Sequence, residues 1–258
     1  IRVLPQEVRW GDMPVSVTAQ SQGIPLGLEE ANISPVFIDM VHNDAHFLIL
    51  GDRECGKTTL LRTWITGIQR YYTPEQAQII IIDYRKSLLS IAQGQHMLAY
   101  ASTLDKINEW VQILNAEFEQ RLAKNASHSR EILTSDRTWD GTHYYLFVDD
   151  YDMVATQTPQ SGNPLNPLEA LLQPAKEIGF HVILARRIVE IGRANYDPIY
   201  RGIKNMEVPG FIMRGDPIEG RQVLHKQSAS DKLSAGRGYL VRRGVPAMQV
   251  QITNTEIL

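Results

Sequence analysis

A single cysteine, Cys55, stands among 258 residues. One thiol cannot close an internal bridge, so a disulfide scaffold is excluded, and the scarcity fits a reducing compartment. Long hydrophobic runs are missing too. The longest, such as Tyr144–Val148, is five residues, whereas a membrane-spanning helix needs about 20. No basic–apolar–small pattern opens the given sequence, so a signal peptide is not expected within it. A basic surplus is also lacking: 26 Lys and Arg against 29 Asp and Glu give a net charge of −3, which argues against a generic polyanion binder. The chain begins at Ile1 with no Met, and we expect a piece of a longer polypeptide. What remains is 43% hydrophobic and 21% charged. That is globular composition, and it excludes a disordered or collagen-like chain.

The apolar pattern switches repeatedly between two periods. His46–Leu50, Gln78–Asp83, Tyr144–Val148 and His181–Ala185 are short apolar runs that read as buried strands. Between them, Lys57–Arg70 places Leu60, Leu61, Trp64, Ile65 and Ile68 on one helical face. Leu104–Lys124 repeats apolar residues at steps of three or four from Leu104 through Ile107, Val111, Leu114 and Phe118 to Leu122. Leu168–Glu177 reads as a helix broken at Pro174 and closed by Gly179. Strands alternating with helices predict an α/β fold, with a mainly parallel central sheet covered on both faces.

Arg2–Leu4 and Asn32–Met40 also read as strands, and residues 1–30 otherwise as an irregular lead-in to a core over 31–258. Gly210–Met213, Tyr239–Val241 and Met248–Ile252 are short strands, expected as antiparallel additions at one edge. Thr156–Pro167 and Asn125–Asp140 read as loops. The length suits one large α/β domain or two small ones, and a single domain over 1–258 is expected.

The chemistry concentrates after the His46–Leu50 strand. Gly51-Asp52-Arg53-Glu54-Cys55-Gly56-Lys57-Thr58 matches G-x-x-x-x-G-K-[ST] in full. Gly51 and Gly56 permit the tight turn that aims backbone N–H groups at phosphate oxygens. Lys57 puts a point charge on the β and γ phosphates, Thr58 offers a hydroxyl to Mg²⁺, and Thr59 continues into the helix, whose N-terminus favours anions. Strand before and helix after is the context this motif requires. Arg53 and Glu54 are bulky for the loop, and Glu54 brings a negative charge toward phosphate. Cys55 reads as a small neutral loop residue.

A second acidic element follows Tyr144–Val148. Asp149 is the candidate Mg²⁺ ligand and Asp150 the candidate for orienting the attacking water, although it is one methylene shorter than Glu. Asp83 ends another strand and either pairs with Arg85 structurally, the favoured reading, or reaches the nucleotide. Arg186 and Arg187 end the His181–Ala185 strand. One of them is a candidate phosphate sensor or Arg finger, and plain salt bridges are the alternative. His42 and His46 are four apart, but Asn43-Asp44 between them reads as a turn and no Cys pair completes a zinc set.

Taken together, these residues resemble the FtsK/SpoIIIE-type P-loop ATPase domains. The nearer likeness is to the C-terminal ATPase modules of EccC/EssC of type VII (ESX) secretion. The likeness is carried by His46–Leu60, Ile82-Asp83-Tyr84-Arg85-Lys86, Leu146–Asp152, Asn163-Pro164-Leu165, Ala175–His181, Ala185-Arg186-Arg187 and Gly236–Val241. It implies a RecA-like P-loop fold, ATP and Mg²⁺ as ligands, and catalytic roles for Lys57, Asp149 and Asp150. It implies several ATPase modules in tandem, anchored in a membrane complex at the cytoplasmic face of the bacterial plasma membrane. Its implied partners are the other modules of the chain and a small WXG-type substrate recognised by a C-terminal signal, with oligomerisation linked to binding. DNA-pumping relatives carry Ala-Thr-Gln-Arg-Pro where this chain has Ala185-Arg186-Arg187-Ile188-Val189. The missing Gln, with Glu54 and Asp150, predicts weak or slow hydrolysis; a DNA-translocating motor domain and a non-hydrolysing substrate-binding module are the alternatives. Ile188–Ile212 is a guess at the docking surface, and DNA is not the expected cargo.

Overall fold

Alternation sets the architecture. In the computed structural model, which describes residues 4–13, 23–128, 139–156 and 162–255, odd and even positions of each central strand enter two different cores. The chain begins with β1 (Val8–Arg9), β2 (Ile24–Glu29), β3 (Pro35–Ile38) and β4 (His46–Leu50), followed by α1 (Lys57–Tyr71). Next come β5 (Ala77–Ile82), β6 (Met97–Ala101), α2 (Leu104–His128), β7 (His143–Val148) and α3 (Tyr151–Thr156). Then α4 (Glu169–Leu172), α5 (Ala175–Ile178), β8 (Phe180–Arg186), α6 (Ile191–Ala194), α7 (Pro198–Asn205) and β9 (Gly210–Met213) lead to β10 (Arg237–Arg242) and β11 (Val245–Asn254).

Leu48, Leu50, Ile80, Ile82, Leu146, Val148, Val182 and Leu184 share the core under α2. Their alternates Phe47, Ile49, Ile79, Ile81, Tyr145, Phe147, Ile183 and Ala185 share the core under α1. This is the two-residue repeat of a strand buried on both faces. Trp64 of α1 fills the second core edge-on to Phe47 and Phe147, with ring centroids at 4.9 and 6.3 Å. Pro174 separates α4 from α5, and Gly179 ends α5 at φ 66°.

The sheet runs β3-β2-β11-β10-β9-β4-β8-β7-β5-β6, with β1 paired to β11. The stretch from β9 to β6 is parallel, so β4, β8, β7 and β5 all point their carboxyl ends the same way. The mainly parallel α/β expectation is met.

Several details differ from the sequence reading. Residues 24–29 form β2 within the sheet rather than part of an irregular lead-in; Pro25 and Gly27 in that run weaken its strand signal. The Arg2–Leu4 strand falls mostly outside the described residues; Leu4 is not in a strand, and the first described strand is β1, at Val8–Arg9. β6 was not anticipated, because its Met-Leu-Ala-Tyr-Ala run is a half-buried edge with little β-branching. β9 is parallel to β4, while β10 and β11 are antiparallel as expected; the three lie inside the sheet, between β4 and β2, and not at its edge, because β2 and β3 pair on beyond β11. Helix α2 continues to His128; positions 129–138 and 157–161 of the two expected loops lie outside the described residues. Among the described residues no helix is long and apolar enough to cross a membrane.

Candidate nucleotide site

The carboxyl end of β4 opens into the Gly51–Thr58 loop, and the loop closes onto α1. Gly56 holds φ 109°, which L side chains rarely adopt, and a Cβ there would lie 2.9 Å from the Gly236 backbone nitrogen. A Cβ on Gly51 would meet Cys55 Sγ at 2.6 Å. The loop is pinned from several sides. Gly51 N–H donates to Arg186 O at 3.2 Å and Asp52 N–H to Arg214 O at 2.8 Å. The Asp52 carboxylate accepts from Val189 N–H and Asp216 N–H at 3.3 and 2.9 Å. Asp52 is thus a brace for the loop.

Lys57 is buried at the helix start, and its Nζ donates to Asp52 O at 2.8 Å. Thr58 Oγ1 donates to Asp149 Oδ2 at 2.8 Å, although the two lie 91 positions apart. Asp149 is 3% exposed. Burial pushes its carboxyl up to about 6, helped by the nearby Asp150 and Asp83 charges and opposed by the Thr58 hydroxyl. Hydroxyl, carboxylate and ammonium at the positive end of a helix form a donor set that fits a magnesium-bound polyphosphate.

The other expected residues are placed as follows. Arg53 and Glu54 are exposed on the loop, Glu54 at φ 55°. Cys55 is fully buried beside Met213, and burial pushes its thiol pKa up, so it is no nucleophile. Thr59 borders the cleft. Asp150 sits at φ 46° and its carboxylate is gripped by Arg85. Asp83 is buried and accepts from the Arg85 and Leu88 N–H groups and the Tyr100 hydroxyl; the Arg85 side chain goes to Asp150, not to Asp83. Arg187 pairs with Asp152 at 2.6 Å. Arg186 is buried over the Tyr200 ring, 5.1 Å from its centroid, with Nε donating to Arg187 O. Neither arginine is free in this conformation. His42 pairs with Asp39 while His46 bonds Leu172 O, so they do not converge, and among the described residues no three His, Cys, Asp or Glu side chains could hold a metal ion together.

A cleft of about 540 Å³ runs alongside the loop. One wall is Gly56, Lys57 and Thr58; the other includes Glu7 and Val8 near the amino terminus and Gln251 and Asn254 of β11. Sequence reasoning missed this second wall. Its only signal was the Gly236–Val241 segment, whose first residue donates its N–H to Cys55 O at 2.8 Å.

Residues 8–188 match the model of the FtsK/SpoIIIE family. The chain belongs to that family. It is 42% identical over 243 residues to the ESX secretion system protein EccC of Thermomonospora curvata, a match covering 94% of this chain and 18% of that protein. It is 36% identical over 233 residues to the ESX-4 secretion system protein EccC4 of Mycobacterium tuberculosis, covering 89% and 18% respectively. A solved structure of Thermomonospora curvata EccC, ATPases 2 and 3 with a signal sequence peptide, superposes with a TM-score of 0.86 at 39% identity, over 99% of this chain and 44% of that one. The chain therefore spans less than a fifth of the length of these full-length relatives and has the RecA-like P-loop fold of their ATPase modules. The Gly51–Thr58 loop and the β7 carboxyl end lie together at the carboxyl ends of the parallel strands, where sheets of this kind offer a ligand crevice. The Ile188–Ile212 docking guess fares worse as a surface: Ile191, Ile199, Tyr200 and Ile203 are core residues, and of that series only Tyr196 is largely exposed.

Proposed function

We propose that this domain binds Mg-ATP in the cleft beside the Gly51–Thr58 loop and turns it over slowly, as one ATPase module of a longer type VII secretion protein. The observation that carries the reading is the Thr58–Asp149 hydrogen bond, set next to Lys57 at the α1 N-terminus. Lys57 would contact the β and γ phosphates, and the backbone of Asp52–Gly56 would cradle them. Thr58 and Asp149 would hold Mg²⁺, which supplies charge neutralisation at the phosphates. Asp150 would orient the attacking water. The Arg85 grip on Asp150 supports slow turnover, since that carboxylate must be released before it can face a water.

The wider reading rests on the relatives. Their ESX names, and the signal peptide bound to the Thermomonospora curvata protein, support export of WXG-type proteins recognised through a C-terminal signal. They support work beside sister modules, in an oligomerising membrane complex at the cytoplasmic face of the plasma membrane. A charge of −3 favours a protein cargo over DNA. Lys57→Ala should weaken Mg-ATP binding at least about tenfold in a fluorescent-nucleotide titration, as loss of a charged phosphate contact requires. Unchanged affinity would sink the phosphate cradle. Many turnovers per second from the isolated domain would refute slow hydrolysis, and tight duplex DNA binding at physiological salt would favour a DNA motor.

A further inference from the structure

The cleft has two chemically different halves. The phosphate-loop half offers an ammonium, a hydroxyl and backbone N–H groups. The opposite half is lined by Val8 and Ile252, both almost fully buried, and by Gln6, Glu7 and Asn254. Bare phosphate has no use for such a wall. A nucleoside does: an apolar flank suits a base face, amides suit its edge, and a carboxylate accepts from ribose hydroxyls.

That wall belongs to two separate pieces of chain. The Leu4–Val8 strap comes from one end of the sequence and β11 from the other. The strap is seated by Leu4, Val8 and Met13 packing on Leu28, and by the short pairing of Val8 and Arg9 with Thr253 and Asn254. A third attachment is a single side chain. Arg237 Nη2 donates to Leu4 O at 3.1 Å and Pro5 O at 2.8 Å, and its Nε donates to Gln251 Oε1 at 3.2 Å. The guanidinium thus ties the residues just before Gln6 to the strand across from them. Gly236, its neighbour, is bonded to the phosphate loop at Cys55 O. Gly236 stands at φ 75°, and a Cβ there would lie 2.7 Å from Gln251 Nε2, so the turn is tightly fitted between the loop and β11.

We propose that Arg237 is a positioning residue for the nucleoside half of the site, latching the Leu4–Val8 strap across the cleft so that the domain prefers a nucleoside triphosphate to bare tripolyphosphate. The proposal rests on the nucleotide reading above and deepens it. Lysine cannot replace the latch, because one ammonium does not reach two strap carbonyls and Gln251 in a fixed fork.

Calorimetric titration of the domain with Mg-ATP and with Mg-tripolyphosphate tests it. Arg237→Ala should weaken ATP about tenfold, the scale of lost charged hydrogen bonds, and leave tripolyphosphate within about twofold. ATP affinity unchanged, or both ligands weakened equally, would overturn the latch while leaving the phosphate cradle standing. A wild-type domain that binds neither ligand, or a Lys57→Ala domain that binds both normally, would overturn cradle and latch together. Should Arg237→Ala fail to fold, hydrogen exchange on the unmutated domain decides. ATP should slow exchange at the Gln6, Glu7 and Val8 amides and tripolyphosphate should not; equal protection, or none, refutes the proposal.

Discussion

The two ends of the same four strands are built on opposite principles. At the carboxyl ends of β4, β5, β7 and β8 lie Gly51, Asp83, Asp149 and Arg187, charges and turns gathered around the phosphate loop. At the amino ends of β4, β7 and β8 lie His46, His143 and His181, all buried. His181 Nδ1 donates to Ala45 O, so its Nε2 must accept, and the His143 Nδ1–H supplies that bond at 2.8 Å. His46 Nδ1 accepts from Val182 N–H, so its Nε2–H donates to Leu172 O. The partners leave each imidazole one neutral tautomer. The contrast separates two jobs. One end gathers ionisable groups around the Gly51–Thr58 loop; the other bonds its buried imidazoles to one another and to backbone groups.

The largest expected effect lies at the closed end. Arg121 of α2 is buried against the Phe118, Trp139 and Tyr144 rings, with its guanidinium carbon 4.5–5.1 Å from their centroids. It also donates to Thr142 O and Ile178 O at 3.0 and 2.8 Å. Arg121→Ala strands those carbonyls and empties a stacked site, at a cost of about 3 kcal/mol. For a chain of this size that lowers Tm by about 10 °C. ATP affinity, measured well below Tm, should stay within about twofold. A melt that does not move, or a binding loss that accompanies it, would break the division between the ends.

Acid should expose the same division with the two ends opposing each other. Burial holds the His46 imidazole down at about 4, against an ordinary 6.5, and holds His143 and His181 low as well. Such groups stabilise the fold above pH 6.5, and that stability is lost as pH falls toward the folded value, because the unfolded chain takes up the protons first. His46 alone accounts for about 2 kcal/mol between pH 7 and 5. Asp149 has the reverse sign. Its raised pKa means that falling pH, from about 6 toward 4, favours the folded chain. Thermal melts should therefore drop from pH 7 to 5, and drop further in Asp149→Asn, which removes the opposing group. A flat profile would mean that the histidines are not held neutral.

How much of this was legible in the sequence divides along the same line. The carboxyl end announces itself, since a phosphate loop needs Gly, Lys and Thr at fixed spacing and an acid must follow an apolar strand. The amino end is silent: His46, His143 and His181 lie 97 and 38 positions apart, and only the parallel register of β4, β8 and β7 brings them side by side. The second wall of the cleft was hidden for the same reason. Arg237, Arg242 and Arg243 stand in the sequence only as three cations close together. In the fold Arg237 holds the strap, Arg242 donates to Phe37 O and Arg243 pairs with Glu207. Periodicity located the buried strands but not β2 or β6, where Pro, Gly and Ala dilute the apolar signal.

The smallest expected effect is also the most selective. A carboxyl lifted to about 6 is mostly ionised at pH 7 and mostly protonated at pH 5. A protonated Asp149 is a poor partner for a divalent cation, and its proton must leave before one is held. The gain in fluorescent-ATP affinity on adding Mg²⁺ should therefore shrink about tenfold between pH 7 and 5. The nucleotide's own phosphates titrate in the same range, but they do so equally with every variant. Asp149→Asn isolates the protein's share: its Mg²⁺-dependent gain should be small at both pH values, leaving only the phosphate titration. Thr58→Val should cut the gain and move its pH profile upward, because the hydroxyl that favours the ionised Asp149 carboxylate is lost. If Asp149→Asn kept the full pH dependence, the open end would owe its cation site to some group other than the buried carboxylate.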